Sequence, residues 1–250
     1  MNVKISEQQF NVLKADAANL TKFRHPSLLN LVEAPLEDKS VIVFITEPVD
    51  FNLASLAYDS SLRDRIPSEV DLKCMVLELM ECINFLHANA KTIHMNLSPE
   101  NIYITQEGKL KVGGLNFIQP FTTAEPISVH LDFMSRVRDF NMVPNLRFGS
   151  PELTTTSMIT AQADIFSIGC IIYFITALSK GLKDSKLYLL NQQDTTSKQL
   201  HENEVGSLQT RVEQMLGDFD PNLKQIIRQM CYTDPSSRGF LGQYVQNGWF

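Results

Sequence analysis

The stretch His94-Met95-Asn96-Leu97-Ser98-Pro99-Glu100-Asn101 decides the reading of this chain. It sets polar side chains at fixed intervals within a short irregular loop. At its centre stands Asn96, an amide, which cannot act as a general base near neutral pH. Short asparagines such as Asn101 commonly brace or cap loops by bonding nearby backbone groups. The flanking sequence frames the loop. Upstream, Leu72, Met75, Val76, Leu79, Ile83 and Leu86 form one helical stripe, predicting an amphipathic helix over 68–89. The Ser68/Asp71 pair near its start suits a helix N-terminus. Downstream, 102–105 and 109–112 read as short strands around a Glu107-Gly108 turn.

Further out, Phe10, Leu13, Ala17, Leu20 and Phe23 recur at spacings of three and four, predicting a helix over 6–24 that His25-Pro26 ends. Strands are expected near 28–33 and 41–46. The second, Val-Ile-Val-Phe-Ile-Thr, is continuous and β-branched, as in a buried strand. Residues 113–150 show no periodicity and contain three prolines, which suits an irregular functional segment. Residues 162–178 are apolar nearly all round, predicting a helix inside the core. A polar loop is expected over 191–206, with shorter helices at 207–216, 221–232 and 238–247.

The chain has 250 residues, 44% hydrophobic and 20% charged, enough for one large domain or two lobes. A net charge of −6 without basic runs argues against a nucleic-acid partner. Cys74, Cys82, Cys170 and Cys231 show no zinc-ligand spacing, and read as free thiols of a reducing compartment. The first residues lack the apolar core of a signal peptide, and the run from Ile165 to Leu178 is shorter than the roughly 20 residues of a membrane span. The expectation is a cytoplasmic protein without direct membrane insertion.

The loop resembles the protein-kinase catalytic loop, H-R-D-L-x-x-x-N, and its surroundings extend the resemblance over nearly the whole chain. Gly114-Leu115-Asn116 stands where kinases carry Asp-Phe-Gly. Ser150-Pro151-Glu152 is similar to Ala-Pro-Glu, and Asp164-Ile165-Phe166-Ser167-Ile168-Gly169 to D-x-W-S-x-G. Asp234-Pro235-Ser236-Ser237-Arg238 resembles D-P-x-x-R, and Asn247-Gly248-Trp249-Phe250 the end of a kinase large lobe. Arg24-His25-Pro26-Ser27-Leu28-Leu29, Thr46-Glu47-Pro48-Val49, Asn96 and Gly114 look like the Scy1-like pseudokinase family.

The resemblance implies an α+β protein-kinase-like fold, with residues 1–49 as a small-lobe remnant and 50–250 as a mainly helical large lobe. The remnant would hold the regulatory helix and two or three strands, without the glycine-loop strands. It also implies a degenerate site. Asn96 replaces the catalytic aspartate, Ser98 the loop lysine and Met95 the loop arginine. Asn101 and Gly114 are degenerate metal positions. No glycine precedes Gly108, so no phosphate-cradling loop is expected upstream of the site. Phosphoryl transfer depends on that loop, a strand lysine, metal ligands and a base. ATP and magnesium binding are therefore expected to be weak or absent, and transfer activity is not expected. Met95 also implies no phosphorylation switch of the arginine-receiving kind in 114–150. Thr46, Glu47, Val49 and Tyr103 line a vestigial nucleotide pocket, with Tyr103 either filling it or rotated outward. Lys4 reads as a surface lysine and Asp16 as part of a solvated helix face. Glu152 and Arg238 correspond to an ion pair anchoring the activation segment, Asp164 to a brace on the loop backbone, and His94 to a core position.

The implied function is a protein-interaction scaffold in vesicle traffic. Its partners would be proteins such as clathrin or adaptor complexes, met at the Golgi, endosomes or coated vesicles. The alternative is a serine/threonine kinase with residual ATP binding whose small lobe is lost from an incomplete sequence. A further alternative is a truncated product that exposes the apolar faces of 6–24 and 41–46.

Overall fold

The structure is a computed structural model describing residues 7–38, 41–121, 127–128, 144–155, 158–189, 213–214, 216–217, 219–246 and 248–250. Helix α1 (Glu7–Lys22) buries Ala17 and Leu20. Beyond it the chain turns at His25, whose ring stacks on Phe85 at 5.1 Å and whose Nδ1 accepts from Ser27 N–H. The expected strand at 28–33 is reduced to two isolated bridges, Leu28 to Val112 and Leu31 to Thr46.

Strands β1 (Leu36–Asp38) and β2 (Val41–Val43) pair antiparallel, Leu36 opposite Val43. The expectation of a buried strand at 41–46 is corrected here. Val41, Val43 and Ile45 are 53%, 49% and 48% exposed. Ile42 and Phe44 turn inward, and Phe44 packs on the core. The run is apolar on both faces, but protein covers only one.

Strands β3 (Phe51–Asn52), β5 (Ile102–Ile104) and β6 (Leu110–Val112) form an antiparallel sheet in the order β3-β5-β6, with β4 (Thr92–Ile93) lying between β3 and β5 in sequence. After β3 come a short helix α2 (Ser55–Tyr58), a 3-10 turn over Ser60–Arg65, and α3 (Glu69–Ala88). A reciprocal capping box opens α3: Ser68 Oγ accepts from Asp71 N–H, and Asp71 accepts from Ser68 N–H. Its whole expected stripe is buried, including Leu72, Leu79, Ile83 and Leu86.

β4 pairs with β7 (Gln119–Pro120), and β8 (Ile127–Ser128) with β9 (Met158–Ile159), which follows the short helix α4 (Glu152–Thr155). Helix α5 (Gln162–Ser179) is buried continuously from Ala163 to Leu178. At 18 residues it is long and apolar enough, by length and composition, to cross a bilayer, where the sequence suggested a shorter run. Yet 89% of it is buried inside the fold. Gly169 lets its neighbour approach, since a Cβ there would lie 2.7 Å from Cys231 Sγ and 2.8 Å from Met230 Cβ. That neighbour is α6 (Pro221–Met230), capped by Asp220, which accepts from Asn222 and Leu223 N–H.

The helix expected over 238–247 is instead a 3-10 turn at Pro235–Arg238 followed by α7 (Leu241–Tyr244). Gly239, at φ 68°, separates the two, and Arg238 swings into the interior. The expected loop at 191–206, most of the helix at 207–216 and most of 113–150, as well as Lys4 and Asn247, lie outside the described residues. One main core runs from Leu20 to Trp249. A smaller cluster gathers Ile93, Met95, Phe117, Leu153, Ile159 and Ala163 beneath the loop at 94–101.

Candidate functional site

Asp164, in the first turn of α5, is fully buried. Its Oδ2 accepts from His94 N–H at 2.8 Å and its Oδ1 from Met95 N–H at 2.9 Å. His87, in the last turn of α3, lies 2.8 Å from Oδ2 through Nε2. Burial alone would push the Asp164 carboxyl up. The hydrogen bond and charge of His87, with contributions from His94, hold it below the usual carboxylate range. The loop backbone is thereby fastened to the core helix. Met95 needs this support, because its φ is 62°, unusual for a side chain of its size. The Met95 side chain is buried in the small cluster, an apolar anchor where the family pattern has an arginine.

His94 is completely buried, and desolvation lowers its pKa despite the nearby Asp164. Its Nδ1 accepts from Asn96 N–H at 3.2 Å, so the ring proton sits on Nε2 and is donated to Gly113 O at 3.1 Å. His94 thus joins the loop to the segment 113–116 as a neutral strut.

The same segment is held from every side. Asn96 Nδ2 donates to Gly114 O at 3.4 Å and to Asn116 Oδ1 at 3.1 Å. Asn101 Nδ2 donates to Asn96 O at 2.8 Å and reaches Ser98 Oγ at 3.5 Å. Gly113 N–H donates to Asn101 O at 2.8 Å. From α1, Asp16 Oδ1 accepts from Leu115 N–H at 2.7 Å, while Asn19 Nδ2 donates to Leu115 O at 2.8 Å. Two side chains one helical turn apart therefore grip both polar groups of one residue.

Gly114 lies at φ 72°, ψ 40°. A Cβ there would stand 2.4 Å from Asn101 Cγ and 2.6 Å from Asn101 Oδ1. The Asn101 carboxamide occupies the space a side chain at 114 would need. Asn96, Ser98, Glu100, Asn101, Asn116 and Asn145 face a cleft of about 310 Å³, which Phe117 also lines. Among the described residues that line it, the one carboxylate, Glu100, accepts from Asn145 Nδ2 at 3.0 Å. No cluster of three or more His, Cys, Asp or Glu side chains suited to a metal ion occurs among the described residues.

Asp16 corrects one expectation. Its carboxylate belongs to the site and not to a solvated face. Burial raises its pKa to about 6, against the opposing pull of the Leu115 N–H. Tyr103 is half-buried with its ring against Gly113, where an added Cβ would come within 3.0 Å of Cε2. Burial, then the Asp16 charge, push its hydroxyl pKa up. Glu47 is used otherwise: it accepts from Lys111 Nζ at 2.9 Å and from Asn30 N–H at 2.8 Å. Thr46 bridges Leu31, and Val49 packs on the main core.

Glu152 and Arg238 meet in a buried bidentate pair, Nη1 to Oε1 at 2.5 Å and Nη2 to Oε2 at 2.9 Å. Arg238 also donates to the carbonyls of Gln162, Tyr232 and Thr233. Sequence reasoning missed Asn19 and His87, and gave Asn116 no role beyond its place in Gly114-Leu115-Asn116. The first had a faint signal, a short polar residue three after Asp16 beside an apolar stripe. His87 had none, since its partner is 77 positions away.

The protein kinase domain family matches residues 2–250 of this chain. The chain is 27% identical over 254 aligned positions to the protein kinase domain-containing protein ppk32 of Schizosaccharomyces pombe, covering 96% of this chain and 32% of that protein. It is 28% identical to the protein kinase-like protein SCY1 of Saccharomyces cerevisiae, over 68% of this chain and 22% of the relative. It is likewise 28% identical to the human SCY1-like protein 2, over 75% of this chain and 21% of the relative. The chain thus spans a fifth to a third of these relatives' lengths.

Proposed function

We propose, from the premise that this chain belongs to the protein kinase domain family and groups with its Scy1-like members, that it is a catalytically inactive kinase-like domain serving as a protein-interaction scaffold. One observation carries the reading: carboxamides stand where the chemistry needs carboxylates, and they are spent on hydrogen bonds within the loop and to the segment 114–116. Magnesium favours oxygen ligands that include carboxylates or phosphates. Here the 114 position has no side chain, and Asn101 fills that space while donating its Nδ2 to Asn96 O. The residues present do not fit the metal. Asn96, at the position of the base, is engaged with Gly114 and Asn116 and carries no proton-accepting carboxylate. A missing general base alone costs about 10²–10⁴ in rate. Tyr103 lies against Gly113, and Asp16 and Asn19 of α1 hold both backbone polar groups of Leu115. ATP and magnesium are therefore weak or absent ligands in this reading.

The Scy1-like resemblance supports the narrower proposal that the scaffold works in vesicle traffic with clathrin or adaptor complexes. It would act in the cytoplasm at Golgi, endosomal or coated-vesicle surfaces. The test of inactivity is a single-turnover assay with radiolabelled ATP and magnesium, at enzyme in excess over nucleotide. No label is expected in protein or peptide above the no-enzyme blank. Transfer that rises with chain concentration overturns the proposal.

A further inference from the structure

Strand β2 and the residues that continue it, 44–46, are paired along one edge alone among the described residues. Backbone bonds fix which groups face which edge. Val32 N–H donates to Ile45 O at 2.8 Å and Glu47 N–H to Asn30 O at 2.9 Å, on either side of the bridge between Leu31 and Thr46. In an antiparallel ladder that pattern turns Thr46 N–H and C=O away from the bonded side, and by alternation those of Phe44 and Ile42 as well. No backbone bond to Phe44 or Thr46 occurs among the described residues. The N–H and C=O groups of Ile42, Phe44 and Thr46 therefore line an open edge.

The two edges of this hairpin differ in chemistry. The β1 side carries Glu33, Glu37 and Asp38, all exposed, with Lys14 of α1 on Glu37 at 2.7 Å. Charges placed in this way keep other strands off an edge. The 41–46 side reads Val-Ile-Val-Phe-Ile-Thr, without charge, proline or glycine, and all but Phe44 are β-branched. Such a segment on an open edge recruits a further strand. Val41, Val43 and Ile45 stand exposed on the outer face, where Leu36, opposite Val43, is 69% exposed.

We propose that a second copy of this chain pairs here, antiparallel, about a two-fold axis beside Phe44. In that register Phe44 lies opposite Phe44 of the second copy, and Ile42 opposite its Thr46. Each chain then donates the N–H groups of 42, 44 and 46 to the carbonyls of the other, an exchange that is its own mirror under the two-fold. Val43 stands beside Ile45 of the second copy on the outer face, an aliphatic contact made on both sides of the axis. Glu47, which comes opposite Val41, is already paired with Lys111 at 2.9 Å. Pro48, the next position facing the edge after Thr46, has no N–H and ends the ladder. With the acidic β1 edge on the far side, the pairing closes at two chains and does not grow into a fibre. The proposal is independent of the catalytic reading, and the ATP assay bears on neither its success nor its failure.

The test is sedimentation equilibrium of the full chain across about 1–300 μM. A reversible monomer–dimer equilibrium with a Kd of about 10–100 μM is expected, since one strand edge gives an interface under the roughly 1,200 Å² of stable complexes. Val43→Lys, at an exposed position, should weaken dimerisation about fivefold or more, with unchanged circular dichroism as the folding control. Disulfide trapping reads the register in a Cys74→Ser background, which removes the exposed native thiol. Val43→Cys and Ile45→Cys chains, mixed and oxidised, should cross-link to each other much faster than either does to itself, because 43 and 45 face each other directly across the axis. A monomer throughout the range overturns the proposal, as when another segment of the same chain covers the edge. So does a dimer indifferent to Val43→Lys, cross-linking of either cysteine chain to itself as fast as to the other, or association that continues past two chains.

Discussion

At the scale of single residues, Asp16 carries the most information. A carboxylate half-buried against a backbone N–H is costly to ionise, and its pKa is raised to about 6 from 3.8. The folded state therefore keeps a proton that the unfolded chain releases at lower pH. Stability falls as pH rises through the window from about 4 to 6, and the full penalty, at most about 3 kcal/mol, is present above it. Asp16→Asn keeps an oxygen acceptor for Leu115 N–H and removes the ionisation. The variant is expected to melt higher than the parent at pH 7.5, and to match it near pH 4.5. For a chain of this size the gain corresponds to roughly 2–4 °C per kcal/mol. Thermal melts of both proteins across pH 4.5–8 check it. Parallel curves with no convergence on the acid side would remove Asp16 as the source of the dependence.

At the scale of elements, the Glu152–Arg238 pair ties α4 to the 3-10 turn before α7, across 86 residues of chain. Arg238 is 1% exposed and sits 4.9 Å over the Phe166 ring, so its charge has no recourse to water. Glu152→Leu strands that guanidinium among carbonyls and is expected to cost about 3–5 kcal/mol in urea unfolding. A loss under about 1 kcal/mol would mean that the pair behaves like an exposed one. The elements differ in how far they could be read from sequence. Helix α3 was legible because its stripe, its capping box and its length agree, and α5 because an apolar segment of that length has few other homes. Strand β2 was misread, since Val41–Thr46 presents the same residues whether one face or both are covered. Asp16 looked like any acidic residue on an exposed helix face. Only the approach of Leu115, 99 positions away, gives it a different role. The loop at 94–101 was readable as a frame. The closure of its carboxamides over Gly114 depends on side-chain directions that no spacing encodes.

At the scale of the whole molecule, the main core joins α1 to the C-terminal Trp249, and the segment 113–116 lies where α1, the loop at 94–101 and β6 converge. The carbonyls of Gly113, Gly114 and Leu115 and the N–H groups of Gly113 and Leu115 are bonded by the protein itself, so the arrangement does not need a nucleotide to hold it. A ligand that binds only the folded state at 100 times its Kd adds about 2.7 kcal/mol of stability. In a chain of this size that corresponds to roughly 5–10 °C of melting temperature. In the proposed reading, a magnesium ion held at 114 would displace the Asn101 carboxamide from beside Gly114, and a nucleotide over Gly113 would meet the Tyr103 ring. Each displacement would leave hydrogen bonds or packing unmade. Millimolar ATP with magnesium is thus expected to shift the melting temperature by less than about 1 °C, well below that range. A saturable rise of several degrees, lost on omitting magnesium, would show that the network opens for nucleotide and that its closure is one state of a binding site.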